Sequence, residues 1–266
     1  MEQKNYKNIS LAKGAVRVYD LGTTKLHAYQ TNDPMNDEVF ILEKNGSAIV
    51  IEAPCFVDNI VELTEYIQSL SVQVEAQILS YHMAGATFLP TVPVYATQKA
   101  DEYGHSGGGK MLVDNFAVAF GNAFDTSIHT VTHTITAGPL KIAGFTLDIL
   151  PTQDAFDIEI PSLGLVYVHM LGHDCHSIVA GADHADALIS QLKDLITRGF
   201  DFILTSHYTP ETLQDAQEKV DYLESVKTIA ASSPDAAAFK ESVLEKYPNY
   251  TGGNYLDMTA GFFFSA

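Results

Sequence analysis

Imidazole is the side chain here best suited to chemistry near neutral pH. Its ordinary pKa of about 6.5 lets it hold a proton, release one or bind a metal ion. Ten histidines are spread over 266 residues, and several stand where a chain turns after an apolar run. His82 lies between the run ending Ile78-Leu79-Ser80-Tyr81 and the small residues Met83-Ala84-Gly85-Ala86. His169, His173 and His176 crowd one stretch with Asp174, Cys175, Asp183 and His184. His207 sits in Ser206-His207-Tyr208, immediately past the run Phe202-Ile203-Leu204-Thr205. The spacing of four between His169 and His173 would place them on one face if the segment were helical. His82, His169 or His173 could act as a general base, a role that typically contributes about 10²–10⁴-fold. Cys175 beside two histidines has the neighbours of an activated thiol, although a buried structural cysteine is the simpler reading. Ser80, Ser106 and Ser206 lack the Gly-x-Ser-x-Gly context of a nucleophile elbow.

The elements that must position these groups are legible as alternating apolar runs and turns. Ala15–Tyr19, Leu26–Gln30, Glu38–Glu43 and Ala48–Glu52 read as strands, the last two joined by the Asn45-Gly46 hairpin turn. Ile60, Leu63, Ile67 and Leu70 form a helical stripe from Asp58 onward. Val74–Leu79 reads as a buried strand leading into His82, and Val92–Thr97 as a further strand before a short helix. The segment Gly104–Lys110 resembles a phosphate loop superficially, but Met111 stands where a hydroxyl residue is needed, so a flexible loop or lid is expected. Met111–Phe120 fits a helix or an extended segment equally. Strands resume at His133–Thr136, continue as a hairpin across Gly144, then Ile158–Pro161 and Leu165–His169. A helix is expected over 183–198, the strand 200–205 follows, and helices over 211–231 and 234–247 close the pattern. Strands followed by a helix, twice over, suit two sheets packed inside outer helices. The triple Phe262-Phe263-Phe264 is expected to be buried on its own domain or across a subunit contact.

Composition narrows the partners. The chain is 46% hydrophobic, enough for a sizeable core in one domain spanning 1–266. Fifteen Lys plus Arg against thirty-three Asp plus Glu give a net charge of −18, a surface that repels nucleic acid and anionic lipid. Two cysteines are too few for a disulfide framework. With no apolar run near the ~20 residues needed to span a bilayer and no leader pattern, a cytoplasmic location is expected.

The run Ile78-Leu79-Ser80, the turn with His82, and Val92–Thr97 resemble in order the core of the metallo-β-lactamase superfamily. Leu165-Val166-Tyr167-Val168 resembles the strand that ends there in Gly-Asp, and Phe200–Pro210 resembles the final strand and its histidine turn. The resemblance covers roughly residues 14–225 and implies an α/β fold, a four-layer αββα sandwich. It also implies that His207 matches the last metal histidine, that His169 and Met170 stand at the bridging aspartate, and that Pro151–Asp154 replaces a further metal histidine. The superfamily's His-x-His-x-Asp-His cluster is degenerate here, because no register of residues 80–87 supplies three ligands. Zinc needs about four ligands with one position open to water, so no dinuclear site of the superfamily type is expected.

The reading that follows is a divergent hydrolase-like protein with a degenerate or reassigned metal site and an unassigned substrate. Its one zinc, iron or manganese ion would be held by His82 and His207 with help from Asp154, His169 or His173. Tyr81, His176 and Tyr208 complete the expected cleft. The alternative is a non-catalytic protein that uses the old cleft to bind a small ligand, or an oligomeric interaction module. A small-molecule partner is expected in either case, with homo-oligomerisation left open.

Overall fold

The computed structural model describes residues 5–264. Contacts within the chain gather into two compact units, one of residues 1–170 with 204–210, the other of 171–203 with 211–266.

Unit 1 carries the site. Its first sheet has eight strands in sequence order: β1 (Tyr6–Ser10), β2 (Ala15–Asp20), β3 (Thr24–Gln30), β4 (Glu38–Lys44), β5 (Ser47–Ile51), β6 (Gln73–Ile78), β7 (Val94–Thr97) and β8 (His133–Ile135). Strands β1–β5 pair antiparallel, while β5–β8 run parallel. A parallel pair requires a crossover. Helix α1 (Val57–Ser69) makes the first one, burying Ile60, Leu63 and Ile67 from the expected stripe. Helix α2 (Gln98–His105) follows β7, its N-terminus capped by the Thr97 hydroxyl. The second sheet has the order β13-β12-β11-β10-β9, from β9 (Gly138–Ile142), β10 (Phe145–Pro151), β11 (Phe156–Ile160), β12 (Leu165–Val168) and β13 (Phe202–Thr205). Leu204–Thr205 of β13 belong to unit 1.

The two sheets meet through fully buried side chains. Phe40 of β4 meets the Tyr167 ring of β12 edge-on, with centroids 6.3 Å apart. One polar stitch is specific. The Ser80 hydroxyl donates to the Phe156 carbonyl at 2.5 Å and accepts from the Phe156 amide at 3.1 Å, fixing the end of β6 against β11. Gly85 closes the same turn. Its φ of +85° is a glycine conformation, and a Cβ there would stand 2.2 Å from the Pro54 carbonyl oxygen.

Sequence and structure differ in several places. The Gly104–Lys110 stretch is mostly helical, with α2 ending at His105 and α3 (Gly108–Phe120) starting three residues later. Tyr103 packs over Gly108 and Gly109, where side chains would collide with its ring. Met111–Phe120 is therefore helix, and its Phe116 and Phe120 pack on Phe56 and Phe124. Strand β1 is not apparent in the sequence because its YKNIS segment has no apolar alternation.

Unit 2 is mainly helical: α4 (Ala182–Arg198), α5 (Leu213–Ser232), α6 (Ala236–Lys246) and α7 (Gly253–Phe264). Its core gathers Val220, Tyr222, Leu223, Val226, Phe239, Val243 and Leu256. Helix α5 starts with a reciprocal capping box between Thr212 and Asp215. Helix α7 goes beyond the elements expected from the sequence. It packs Phe263 and Phe264 on Phe239 and leaves Phe262 52% exposed.

Candidate metal centre

Three strands of unit 1 each deliver one imidazole. His82 lies four residues past the end of β6, His169 directly follows β12, and His207 stands two residues past β13. The rings converge, with centroids 5.0 Å apart for His82–His207, 5.2 Å for His169–His207 and 5.7 Å for His82–His169. One nitrogen from each lies within 4.8 Å of the other two. Such spacing lets three imidazoles share one ion while keeping a further coordination position open.

Asp37, fully buried ahead of β4, lies behind the cluster. Its Oδ1 is 3.1 Å from His207 Nδ1 and 3.9 Å from His82 Nδ1. His207 Nδ1 also points to the Met35 carbonyl at 3.3 Å. The approach to Asp37 is consequently bent, and neither Asp37 oxygen has a well-aligned hydrogen bond among the described residues. Burial would raise the Asp37 carboxyl, but the charge of His82 and the hydrogen bond and charge of His207 outweigh it and hold the group below its ordinary range. Burial acts on His207 the other way, lowering it, yet the Asp37 hydrogen bond and charge raise it overall. His169 has no such counter-charge. Burial, then the neighbouring His82 and His207, push it well below 6.5, so it is neutral at neutral pH, the form that binds metal.

A second buried carboxylate orders the His82 turn. Glu52, at the end of β5, accepts hydrogen bonds from the backbone N–H groups of Ser80 (3.3 Å), Tyr81 (3.0 Å) and His82 (3.0 Å), and from the Tyr167 hydroxyl. Its φ is +65°, an uncommon conformation for a side-chain-bearing residue. The Tyr167 hydroxyl also meets Ser206 Oγ at 2.6 Å, and Ser206 Oγ meets His169 Nδ1 at 3.2 Å. His207 and His169 thus turn Nδ1 towards protein groups, while His82 Nδ1 stands 3.9 Å from Asp37 with no hydrogen-bond partner among the described residues. The donor set fits a single transition-metal ion: three nitrogen ligands, one of them firmly neutral, with the buried Asp37 carboxylate beside the other two.

Tyr81 forms a wall of the site, its ring stacked on His169 with centroids 4.1 Å apart and edge-on to Tyr103 at 6.0 Å. Its hydroxyl pairs with Thr152 Oγ1 at 2.8 Å and is pushed up to about 12, chiefly by burial.

The remaining candidates lie elsewhere. Asp154 is exposed in the turn before β11, outside the imidazole group, although its charge reaches Tyr81 and Tyr103. Tyr208 is half-buried in the turn after His207, its backbone held by Thr205 Oγ1. His173 and His176 belong to unit 2. Residues 169–181 form no helix, so the shared face expected for His169 and His173 does not exist. His173 instead pairs with Glu211 at 2.9 Å and Asp215 at 3.6 Å, and it falls in a second group with Asp215 and Glu218. His176 is buried against Tyr222, whose hydroxyl lies 2.9 Å from its Nδ1. Within residues 80–87 only His82 joins the imidazole cluster; Met83 and Ala84 face the core.

Sequence reasoning missed Asp37, Glu52 and the link through Tyr167 and Ser206. Glu52 left a trace, as a charged residue closing the apolar run Ala48–Ile51. Asp37, in Asn36-Asp37-Glu38, looks like ordinary loop composition.

No protein-family profile matches the sequence, and no curated protein matches it. Solved structures do resemble it. A metallo-β-lactamase from Erythrobacter litoralis, with β-mercaptoethanol in its active site, aligns with a TM-score of 0.58 at 15% identity over 82% of this chain and 100% of its own. A metallo-β-lactamase family protein from Thermus thermophilus aligns at 0.55 and 12% identity, over 97% of this chain and 90% of its own. Pisa1, a stereoselective inverting sec-alkylsulfatase from Pseudomonas sp., aligns at 0.58 and 14% identity, over 96% of this chain but 49% of its own. The chain has the metallo-β-lactamase fold, an α/β architecture with two sheets, and at these identities the likeness establishes the fold alone.

Proposed function

We propose that this protein is a hydrolase-type member of the metallo-β-lactamase fold with a reassigned, mononuclear metal site formed by His82, His169 and His207. The observation that carries this reading is the convergence of three imidazole nitrogens within 4.8 Å from the ends of three different strands. Zinc and iron suit such an all-imidazole set, and manganese, which favours oxygen donors, suits it less. An ion held there would supply Lewis acidity and lower the pKa of a coordinated water towards about 7. The chain's own residues do the rest. Asp37 pairs with His207 through Nδ1 and lies near His82, Glu52 fixes the His82 turn, and Tyr81 braces the face of His169. Tyr81 and Tyr103 give the entrance an aromatic wall, suited to the apolar portion of a small ester, amide, thioester or phosphoester.

The test is hydrolysis of nitrocefin, p-nitrophenyl esters and phosphodiesters by protein loaded in turn with zinc, manganese or iron. Metal-dependent turnover that disappears in His207→Ala supports the reading. Bound metal with no turnover, and a small ligand retained in the cleft, would favour the non-catalytic binding protein instead.

A further inference from the structure

Counting protons along the hydrogen bonds behind His169 gives a result that distances alone do not. Glu52 meets four donors, three backbone N–H groups and the Tyr167 hydroxyl. Surrounded by donors, its carboxylate accepts throughout, so the single Tyr167 hydroxyl proton lies towards Glu52. The Tyr167 and Ser206 oxygens approach to 2.6 Å, a separation that needs a proton between them. Tyr167 has none left, so Ser206 donates it. Ser206 Oγ, its own proton spent, can only accept from His169 Nδ1 at 3.2 Å.

We propose that Glu52 is a positioning residue which sets, through Tyr167 and Ser206, the ring nitrogen of His169 that carries the proton. Nδ1 is protonated, and Nε2 is left to carry the lone pair. The tautomer assignment stands on hydrogen-bond geometry; its consequence for metal binding rests on the mononuclear reading above. Among the described residues no carboxylate pairs with His169; the anion that orients it lies two hydroxyls away. Each hydroxyl has one proton and so passes the polarity on in one direction only.

Long-range proton–nitrogen NMR of the metal-free protein reads the tautomer directly, with the His169 signal assigned by its loss in His169→Gln. The expected result is Nδ1–H in the unaltered protein. Tyr167→Phe removes an oxygen that does not touch His169, yet it frees the Ser206 proton to turn towards Nδ1. The His169 proton should then move to Nε2, a shift that a purely structural role for Tyr167 would not produce. Ser206→Ala removes the acceptor itself and should also populate Nε2–H. In both variants zinc affinity, measured by competition with a chromophoric chelator, should fall about 10–100-fold, the usual consequence of losing a group that orients a ligand. The relay is overturned if His169 carries its proton on Nε2 in the unaltered protein, or stays on Nδ1 in a folded Tyr167→Phe or Ser206→Ala protein. An Nδ1 proton that responds to both variants, in a protein that takes up no zinc, would support the relay and overturn the metal reading alone.

Discussion

Replacing Glu52 by Gln keeps the side chain's size and shape but removes one acceptor and the charge. Oε1 accepts from Ser80 N, Tyr81 N and the Tyr167 hydroxyl, and Oε2 accepts from His82 N. Whichever way the amide is placed, its NH₂ faces at least one donor. The less costly placement puts NH₂ against His82 N–H, losing that bond and leaving a buried N–H unpaired in the turn that carries the first imidazole. A hydrogen bond to a charged group contributes about 1.5–3 kcal/mol, and leaving a buried partner unsatisfied costs about 1–3 kcal/mol more. Together these amount to about 2.5–6 kcal/mol. Glu52 is also fully buried at φ +65°, and strain at such a position is of order 1–3 kcal/mol. Gln inherits this strain without the full set of bonds that offsets it. Denaturant unfolding followed by circular dichroism should show a loss of about 2.5–6 kcal/mol for Glu52→Gln, against about 1.5–3 kcal/mol for Tyr167→Phe, which removes a single bond to the carboxylate. A Glu52→Gln protein within about 1 kcal/mol of the parent would refute the claim that this carboxylate organises the turn.

Tyr81→Phe should retain metal as well as the unaltered protein, because the stack on His169 survives and only the Thr152 contact is lost. Tyr81→Ala should weaken retention in a chelator challenge, since an aromatic pair contributes about 0.5–1.5 kcal/mol beyond its burial. In unit 2, His173 is raised to about 9, first by its hydrogen bond to Glu211 and then, against the lowering effect of burial, by the charges of Asp215 and Glu211. A raised histidine contributes stability that is fully present below its unfolded pKa of about 6.5 and disappears as pH rises through about 9. The protection factors of α5 amides, taken relative to the intrinsic base-catalysed rates, should therefore fall between those pH values, and His173→Gln should flatten that fall.

Most elements of the fold were legible because its strands are bounded by turns with their own chemistry, such as Asn45-Gly46 and Gly144, and because α1 and α4 carry clean apolar stripes. Strand β1 escaped because an edge strand with both faces largely in solvent needs no apolar alternation; four of its five residues are exposed. Helix α7 escaped because its glycines and aromatics, Gly253 to Phe264, do not follow a helical stripe. At the site, His82 and His207 could be found from the strands that precede them. His169 could be named but not separated from His173 and His176, because a spacing of four means one shared face only in a helix, and residues 169–181 are irregular. The supporting residues were hidden for a different reason. Glu52 acts on His82, 30 positions further along the chain, and Asp37 acts on His207, at the far end of the other sheet's sequence. Such pairings are set by sheet packing rather than by any local pattern.

The central claim is that one ion is held by three histidines from three strands. X-ray absorption at the zinc edge, on protein loaded with a single equivalent, tests it most directly. The expected spectrum has three imidazole nitrogens and one further light atom at about 2.0–2.1 Å, the ordinary zinc–nitrogen range, with one imidazole fewer in His169→Ala. A sulfur shell near about 2.3 Å, the zinc–thiolate distance, or an unchanged imidazole count in His169→Ala, would contradict it.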